Sequence, residues 1–228
     1  MLQVIKVADE FKNPELLDEV WVYDDGIVKG MIHLEEKEMI TVKEVDKTYF
    51  DLYDQVSMNV EVHSIYKLKR LDSGLGGFLF EEVPVDACIK DYSKYEIAKE
   101  YEKTFDISTW RFYMAFDDEK PVGAATVAGP TENLYMLSGR KDACVLWDIR
   151  VEDEYKHQGI GQKVFDLCKN GAIEDGYSQM LIETQNINVT ACKFYKKQGA
   201  VLSKVDMYAY YSQPESRDEI QFIMYLDL

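Results

Sequence analysis

Two glycines in the segment "YKHQGIGQKVFDLCKNGAIEDG", residues 155–176, stand directly before an amphipathic pattern. A glycine turn lets the backbone approach an anion closely, because no Cβ intervenes. The free N–H groups of the first helical turn then point at that anion, and the helix dipole adds to the attraction. A candidate cradle for a pyrophosphate is therefore the main chain of Gln158, Gly159, Ile160, Gly161 and Gln162.

Two other phosphate-binding motifs use similar physics, and the spacing excludes both. A dinucleotide-binding fingerprint needs a third glycine where this chain has Val164, and a P-loop needs Lys-Ser/Thr directly after its last glycine, where Gly161 is followed by Gln162. A second glycine-rich stretch at residues 74–77 is interpreted as a flexible loop, because no Lys-Ser/Thr follows it at P-loop spacing.

The elements that must position the glycine turn follow from the hydrophobic pattern. Two hairpins are predicted, at 20–34 around Asp24-Asp25-Gly26 and at 109–129, together with a strand at 40–46 and a helix that Asp46 caps and that reaches residue 55 or beyond. From residue 143 onward strands and helices alternate, which predicts an α/β sheet with a partly parallel centre. These last elements are a strand at 143–151, a helix at 161–176, a strand at 178–184, a helix at 188–200 and a strand at 219–228.

Composition limits the classes of partner. The 228 residues suffice for one sizeable domain or a domain with an appendage, and 26 basic against 42 acidic residues give a net charge of −16. Such a field repels nucleic acid and concentrates small cations near a cleft, although it is also ordinary for a well-dissolved protein. The four cysteines and three histidines lack metal-site spacing, so no metal is expected. Without an apolar run of membrane-spanning length or a signal peptide, we expect no membrane partner and a cytoplasmic location.

The glycine turn gains meaning from a second motif downstream. "DIRVEDEYKHQGIG", followed by "NVTACKFYKKQGA" at 188–200, resembles the paired signature of the GNAT acetyltransferase superfamily. The first motif of that family is Gln/Arg-x-x-Gly-x-Gly/Ala, and its Gln/Arg position is Lys156 here, so the side chain keeps its charge and loses the fork geometry of arginine. The second motif, Asn-x-x-Ala-x-x-x-Tyr-x-Lys-x-Gly, matches at Asn188, Ala191, Tyr195, Lys197 and Gly199.

The resemblance covers residues 39–228 and implies a fold and a cofactor. The implied fold class is α/β: a mixed central β-sheet that is splayed after the fourth core strand and flanked by helices. Residues 1–38 fall outside the resemblance, and the hairpin pattern predicts that they form a β-hairpin annex. The implied co-substrate is acetyl-CoA, with its pantetheine arm on the main chain near Ile149 and Val151. Its pyrophosphate would lie on residues 158–163, which adds Lys163 to the cradle, and Lys156 would stand beside it. The annex could extend the sheet edge, cover the acceptor cleft or mediate a homodimer.

Roles for side chains follow partly from this resemblance and partly from the residues themselves. Tyr195 would act as the acid that protonates the leaving CoA sulfur, with a core aromatic as its structural alternative. Asn188 would both cap its helix and contact the cofactor arm, with a cap alone as its structural alternative. Asp148 and Glu183 lie in otherwise apolar strands, so each would hold a cationic amine or relay its proton, or would form a structural pair such as Asp148 with Arg150. The general base is left unassigned. Trp147, Tyr113 and Tyr135 are candidates for the acceptor pocket or for the core.

A narrower resemblance concerns the acceptor. The phrases "LWDIRV", "HQGIG" and "IETQNINVTACKFYKKQGA" look like the streptothricin acetyltransferases, which implies acetyl transfer to a small cationic amine. A polyamine or peptide amine is the alternative acceptor. A GNAT-fold module that binds CoA without turnover is the alternative of a different class, and the retained Tyr195 argues against it.

Overall fold

The computed structural model describes the backbone of Glu19–Asp24, Ile27–His33 and residues 40–228, and the side chains of residues 40–228. The chain divides into two compact units, Met1–Met39 and Ile40–Leu228. In the first unit the two strands β1 (Glu19–Asp24) and β2 (Ile27–His33) pair antiparallel, as the hairpin pattern predicts. The rest of that segment, including the turn at 25–26, lies outside the described residues. The division into an annex of residues 1–38 and a domain of residues 39–228 remains our proposal.

The second unit contains nine strands and three α-helices among the described residues. In chain order they are β3 (Ile40–Val45), α1 (Phe50–Tyr53), β4 (Asn59–Arg70), β5 (Phe78–Asp91), β6 (Arg111–Asp117), β7 (Lys120–Ala128), β8 (Ala143–Val151), α2 (Ile160–Glu174), β9 (Gln179–Gln185), α3 (Val189–Lys197), β10 (Val201–Asp206) and β11 (Gln221–Asp227).

Seven of these strands form one mixed sheet in the order β10-β11-β9-β8-β7-β6-β3. Strands β8 and β9 are parallel, and every other neighbouring pair of this sheet is antiparallel. Counted from the β3 edge, β8 is the fourth strand, and its pairing with β9 ends at Leu146 and Ile182. Beyond that point the two strands diverge, which confirms the predicted splay after the fourth core strand.

The core has one layer on each face of the sheet. On one face α2 packs through Val164, Phe165 and Cys168, all fully buried, and α3 contributes Tyr195 to the same layer. On the other face Phe50, Tyr53 and Val56 cover the inward side chains of β6 and β7. The predicted face of the 109–129 hairpin belongs to this second layer, which holds Trp110, Phe112, Met114 and Phe116.

Three elements differ from the sequence-based expectation. The glycine-rich stretch at 74–77 is the turn of a long hairpin in which β4 and β5 pair as a separate two-stranded sheet, rather than a free loop. The helix predicted after Asp46 is shorter: the Asp46 carboxylate accepts a bond from the Thr48 N–H and caps a 3₁₀ turn, and α1 then ends at Tyr53. Strand β10 lies between α3 and β11, where no strand was predicted.

Candidate active site

The diverging strands β8 and β9 open a cleft of about 760 Å³. The ladder between β7 and β8 pairs Val127 with Leu146 and Thr126 with Asp148, so Trp147 is an extra residue in a β-bulge. Bulges of this kind re-aim side chains and leave a residue outside the ladder. On the opposite edge, β9 pairs with β8 only as far as Leu146, so within the described sheet the β9-facing edge of β8 has no strand partner beyond that residue. Its main-chain groups there are available to a ligand.

The glycine turn borders this cleft through Gly161. Gly159 has φ +85°, a left-handed conformation that glycine adopts without steric cost, and α2 begins at the next residue. The Lys163 N–H donates to the Gly159 carbonyl at 3.1 Å, which is the first turn of the helix. The N–H groups of Ile160, Gly161 and Gln162 precede that bond and have no carbonyl within the helix to receive them. The turn thus has the free donors that an anion needs.

The side chains around the turn are mostly held by the protein itself. The Lys156 ammonium donates to the Asn59 carbonyl at 2.8 Å and to the Asp153 carboxylate at 2.5 Å. Gln158 donates to the Glu154 carbonyl at 2.8 Å, and the Gln162 amide exchanges hydrogen bonds with the amide of Gln198. Lys163 is exposed. Lys156 still lines the cleft, but its charge is shared with Asp153.

Helix α3 brings two of the predicted residues to the cleft. Asn188 Oδ1 accepts a bond from the Ala191 N–H at 3.1 Å, so the predicted helix cap is present. Tyr195 is 6 % exposed, lines the cleft, and makes no hydrogen bond through its hydroxyl within the described chain. Burial raises the pKa of the Tyr195 phenol, with a smaller contribution from Cys192. The hydroxyl is therefore neutral at pH 7 and able to donate.

The Asp148 carboxylate is fully buried and fully partnered. Arg150, two residues along the same strand, donates to its Oδ2 through Nε at 2.9 Å and also through Nη2. The Tyr53 hydroxyl donates to its Oδ1 and lies 2.6 Å from the Thr126 hydroxyl. The contacts are those of the structural pair that the sequence left as one of two alternatives. A buried pair of this kind is costly to break, because the remaining charge has no partner.

Glu183 lies across the cleft on β9. Its Oε1 accepts a hydrogen bond of 2.7 Å from the Tyr210 hydroxyl, which in turn accepts one of 3.2 Å from the Gln185 amide. The side chain is only partly buried and lines the cleft. Unlike Asp148, it pairs with no cation in the described chain, so its charge is available to a ligand.

The structure adds a carboxylate that the sequence did not single out. Glu96 follows β5, lines the same cleft, and accepts hydrogen bonds at Oε2 from Trp147 Nε1 at 2.8 Å and from the Tyr101 hydroxyl at 3.3 Å. Burial raises the pKa of the Glu96 carboxyl to about 7, and the nearby charge of Asp148 adds to the shift. It stands between Lys94-Tyr95 and Ile97-Ala98, so no isolated charge in a continuous apolar run marked it.

The three aromatic candidates separate clearly. Trp147 lines the cleft. Tyr113 is buried in the core layer beneath α2, close to Gly171. Tyr135 is 82 % exposed and is not among the lining residues of the cleft.

Among the described residues, no group of three His, Cys, Asp or Glu side chains is arranged to hold a metal ion. No helix within 40–228 combines the length and apolar composition needed to span a bilayer.

Solved structures with the same fold include two antibiotic-related proteins. Nourseothricin acetyltransferase superposes with a TM-score of 0.66 at 20 % identity, covering 82 % of this chain and 98 % of that one. A Bacillus anthracis protein solved in complex with acetyl coenzyme A superposes with a TM-score of 0.65 at 22 % identity, covering 83 % of this chain and all of that one. These likenesses show a shared fold.

Sequence comparison agrees with the fold. Streptothricin acetyltransferase A of Bacillus subtilis (strain 168) is 26 % identical over 145 residues, which is 59 % of this chain and 78 % of that protein. Residues 80–200 match the profile described as the acetyltransferase (GNAT) family, and this range contains the glycine turn, both diverging strands and the helix that carries Tyr195. The chain therefore belongs to the GNAT family of acetyltransferases.

Proposed function

We propose that the protein transfers the acetyl group of acetyl-CoA to an amine of a small cationic acceptor. The observation that carries this proposal is the composition of a single cleft. Gly161, which lies in the turn with free N–H donors, lines this cleft, and so do the carboxylates of Glu96 and Glu183. An anionic cofactor and a cationic acceptor thus find complementary charge in the same space.

Main-chain groups provide most of the contacts for the cofactor. The pyrophosphate lies on the first turn of α2, at residues 158–163, because that turn offers oriented N–H donors and the positive end of a helix dipole. The pantetheine arm lies along the free edge of β8, bonded to the main chain near Ile149 and Val151. Asn188, whose side chain already caps α3, borders this path. The acetyl-CoA complex of the B. anthracis protein, which shares the fold, supports this choice of cofactor.

The chemistry is acyl transfer from a thioester to an amine. A neutral amine attacks the thioester carbonyl, and the CoA thiolate leaves. Tyr195 donates its phenolic proton or a hydrogen bond to the departing sulfur. Asp148, with both oxygens occupied, holds Arg150 and Tyr53 in place and supports the bulge at Trp147 rather than touching the acceptor.

The acceptor we favour is a streptothricin-type antibiotic. The curated relative named for streptothricin supports this choice, and the net charge of −16 favours a polycationic substrate. Acetylation would remove a positive charge from such an antibiotic. A polyamine or a peptide amine would meet the same carboxylates, so these are the competing acceptors within the class. A CoA-binding module without turnover is the competing proposal outside it.

The test is a panel assay of thiol release. The full chain is incubated with acetyl-CoA and, in turn, streptothricin, a polyamine and a short peptide with a free amino terminus, with a chain carrying Tyr195→Phe as the matched control. We expect amine-dependent release of CoA, with the highest kcat/KM for streptothricin. Tight CoA binding with no release on any amine would favour the binding module. Turnover confined to the polyamine or the peptide would reject the antibiotic as the acceptor.

A further inference from the structure

An aliphatic amine has a pKa near that of lysine, about 10.4, so the acceptor reaches the cleft as an ammonium ion that cannot attack a carbonyl. Its proton must leave before the C–N bond forms. We propose that Glu96 accepts this proton and is the general base of the reaction. The inference rests on the proposed function, and it assigns a role that the sequence leaves open.

The position of Glu96 suits this role. Trp147 packs in the core layer on the α1 face of the sheet, and its indole N–H holds Glu96 Oε2 there. Tyr195 belongs to the opposite layer, under α2 and α3. The proposed base and the proposed acid therefore approach the gap between β8 and β9 from opposite faces. Attack of the amine on the thioester through this gap requires the acceptor on one side and the thioester sulfur on the other.

The hydrogen bonds leave Glu96 ready to accept a proton. Both donors, Trp147 Nε1 and the Tyr101 hydroxyl, bind the same oxygen, Oε2. Within the described residues Oε1 has no hydrogen-bond partner, and the side chain lines the cleft. The Arg150 guanidinium donates to the main-chain carbonyl of Glu96 at 3.2 Å, which fixes the backbone beneath the carboxylate.

The other carboxylates are less suited. Asp148 has a donor on each oxygen and no exposed surface on its side chain, so it has no free lone pair directed at an acceptor. Glu183 accepts a bond from Tyr210 and is more suited to holding an ammonium ion. Three titratable or charged groups face Glu96: Asp148, which raises the pKa of its carboxyl, and Tyr101 and Arg150, which lower it. Burial and the charge of Asp148 outweigh Arg150 and bring the Glu96 pKa to about 7, near the value that suits a base at neutral pH.

The proton balance closes without a further reactant. Glu96 takes one proton from the ammonium ion, and the neutral amine adds to the thioester carbonyl, which forms the C–N bond of a tetrahedral intermediate. The C–S bond breaks when this intermediate collapses. Tyr195 supplies a proton to the thiolate and recovers one, through water, from the nitrogen of the tetrahedral intermediate. Glu96 then releases its proton to solvent. The sum converts ammonium and acetyl-CoA into amide, CoA thiol and one free proton.

The experiment is the pH profile of kcat/KM for streptothricin, measured on the full chain with saturating acetyl-CoA. For the wild-type chain we expect activity to rise with pH through about 7, because Glu96 must be ionised to act. Glu96→Gln should lower kcat/KM at pH 7 by at least about 100-fold. Its residual activity should then rise with pH toward the pKa of the amine, since only acceptor that binds already neutral can react. Glu96→Asp should keep the limb near neutral pH at a reduced rate.

Two further variants test the hydrogen bond to Glu96 and provide a matched control. Trp147→Phe removes the donor to Oε2, so it should move the limb to higher pH, because the ionised carboxylate loses a hydrogen bond. Glu100→Gln removes a charge from the neighbouring 3₁₀ turn, where Glu100 pairs with Lys103 at the surface, and should leave the profile unchanged. Acetyl-CoA binding, measured by calorimetry, should be retained in every variant and reports that each is folded.

The outcomes separate the two proposals. If the wild-type chain acetylates no amine, the proposed function fails. If the wild-type chain is active and Glu96→Gln keeps both its rate and its neutral limb, the function stands and the role of Glu96 is wrong. A Glu96→Gln variant that only raises the KM for streptothricin, with kcat and the limb intact, would likewise overturn the role of base.

Discussion

Tyr195, the proposed acid, and Glu96, the proposed base, approach the gap between β8 and β9 from opposite faces of the sheet. Tyr195 is buried among Phe165 and Phe194, with ring centroids 6.4 and 5.5 Å away, so its ring position depends on packing and not on its hydroxyl. Glu96 is held by hydrogen bonds instead. Removal of the Tyr195 hydroxyl should therefore affect chemistry without moving the ring.

Tyr195→Phe should lower kcat by more than about tenfold, because the departing sulfur loses its proton donor. The affinity for acetyl-CoA should stay within about twofold, since the ring still fills its place. Steady-state kinetics and calorimetry measure the two quantities, and Tyr208→Phe, which alters a 62 % exposed tyrosine, is the matched control. An unchanged kcat in Tyr195→Phe would remove Tyr195 from the mechanism.

Glu183→Gln tests the second carboxylate of the cleft. Glutamine keeps an oxygen for the Tyr210 hydroxyl but loses the charge that attracts an ammonium ion. The KM for streptothricin should rise about tenfold, which corresponds to about 1.4 kcal/mol, while kcat changes less than in Glu96→Gln. Equal KM values for the two chains would show that Glu183 does not bind the acceptor.

At the scale of residues, the sequence predicts those site residues that lie close to one another along the chain. Gly159 and Gly161, and Asn188 with Tyr195, lie within single motifs, and the Asp148–Arg150 pair lies two apart on one strand, where side chains share a face. Glu96 was not predicted, because its role depends on Trp147, which is 51 residues away. Contacts of that kind arise only when the chain folds.

Among the elements, the turn from β8 into α2 contains two glycines, and they differ in backbone conformation. Gly159 has a positive φ, and a Cβ there would meet no atom within 4 Å, so the cost of a side chain is confined to the backbone. Gly161 has no positive φ, and its Cβ would meet only Val151 Cγ2 at 3.7 Å, an ordinary contact. Alanine substitutions at the two positions therefore distinguish the effect of a strained backbone from the effect of an added side chain.

Gly159→Ala should lower the free energy of unfolding by about 1 kcal/mol, because alanine is strained in the left-handed region. It should also weaken acetyl-CoA binding about tenfold, since the N–H groups of the turn are reoriented. Gly161→Ala should leave stability unchanged or raise it by less than about 1 kcal/mol, since alanine favours a helix. Urea denaturation and calorimetry make the comparison. Equal losses in both variants would contradict this account of the turn.

Elements that are buried along most of their length, or that carry helical periodicity, are those that the sequence predicts well. Strands β6, β7, β8, β9 and β11 are largely buried, and α2 and α3 carry clear helical periodicity. The missed strands lack that signal. Strand β5 is mostly exposed and contains Pro84, a residue that edge strands tolerate, and β10 is exposed along much of its length. These strands form because their main chain finds a partner in β4 or β11, which hydrophobic pattern does not reveal.

The whole molecule carries a strong negative charge that should act differently on the two substrates. A net charge of −16 attracts a polycationic acceptor and repels the anionic cofactor. The cofactor therefore depends on the local donors of the α2 turn, and the acceptor gains from the field of the entire protein. The role of residues 1–38, as a sheet extension, a cover for the cleft or a dimer contact, remains a prediction at this scale.

Raising the ionic strength from about 0.01 to 0.15 M shortens the Debye length from about 30 to about 8 Å and screens this field. The kcat/KM for streptothricin should fall by several-fold, whereas the KM for acetyl-CoA should stay constant or decrease. Initial rates at fixed pH give both numbers, and acetyl-CoA serves as the internal control. A parallel change in the two parameters would argue against long-range attraction of the acceptor.

The central claim is that the cleft between β8 and β9 transfers an acetyl group to a cationic amine. Mass spectrometry of streptothricin after incubation with the protein and acetyl-CoA tests it most directly. We expect a product heavier by one acetyl group, formed with one equivalent of CoA thiol and strongly reduced with Tyr195→Phe. Streptothricin of unchanged mass, recovered together with intact acetyl-CoA bound to the protein, would contradict it.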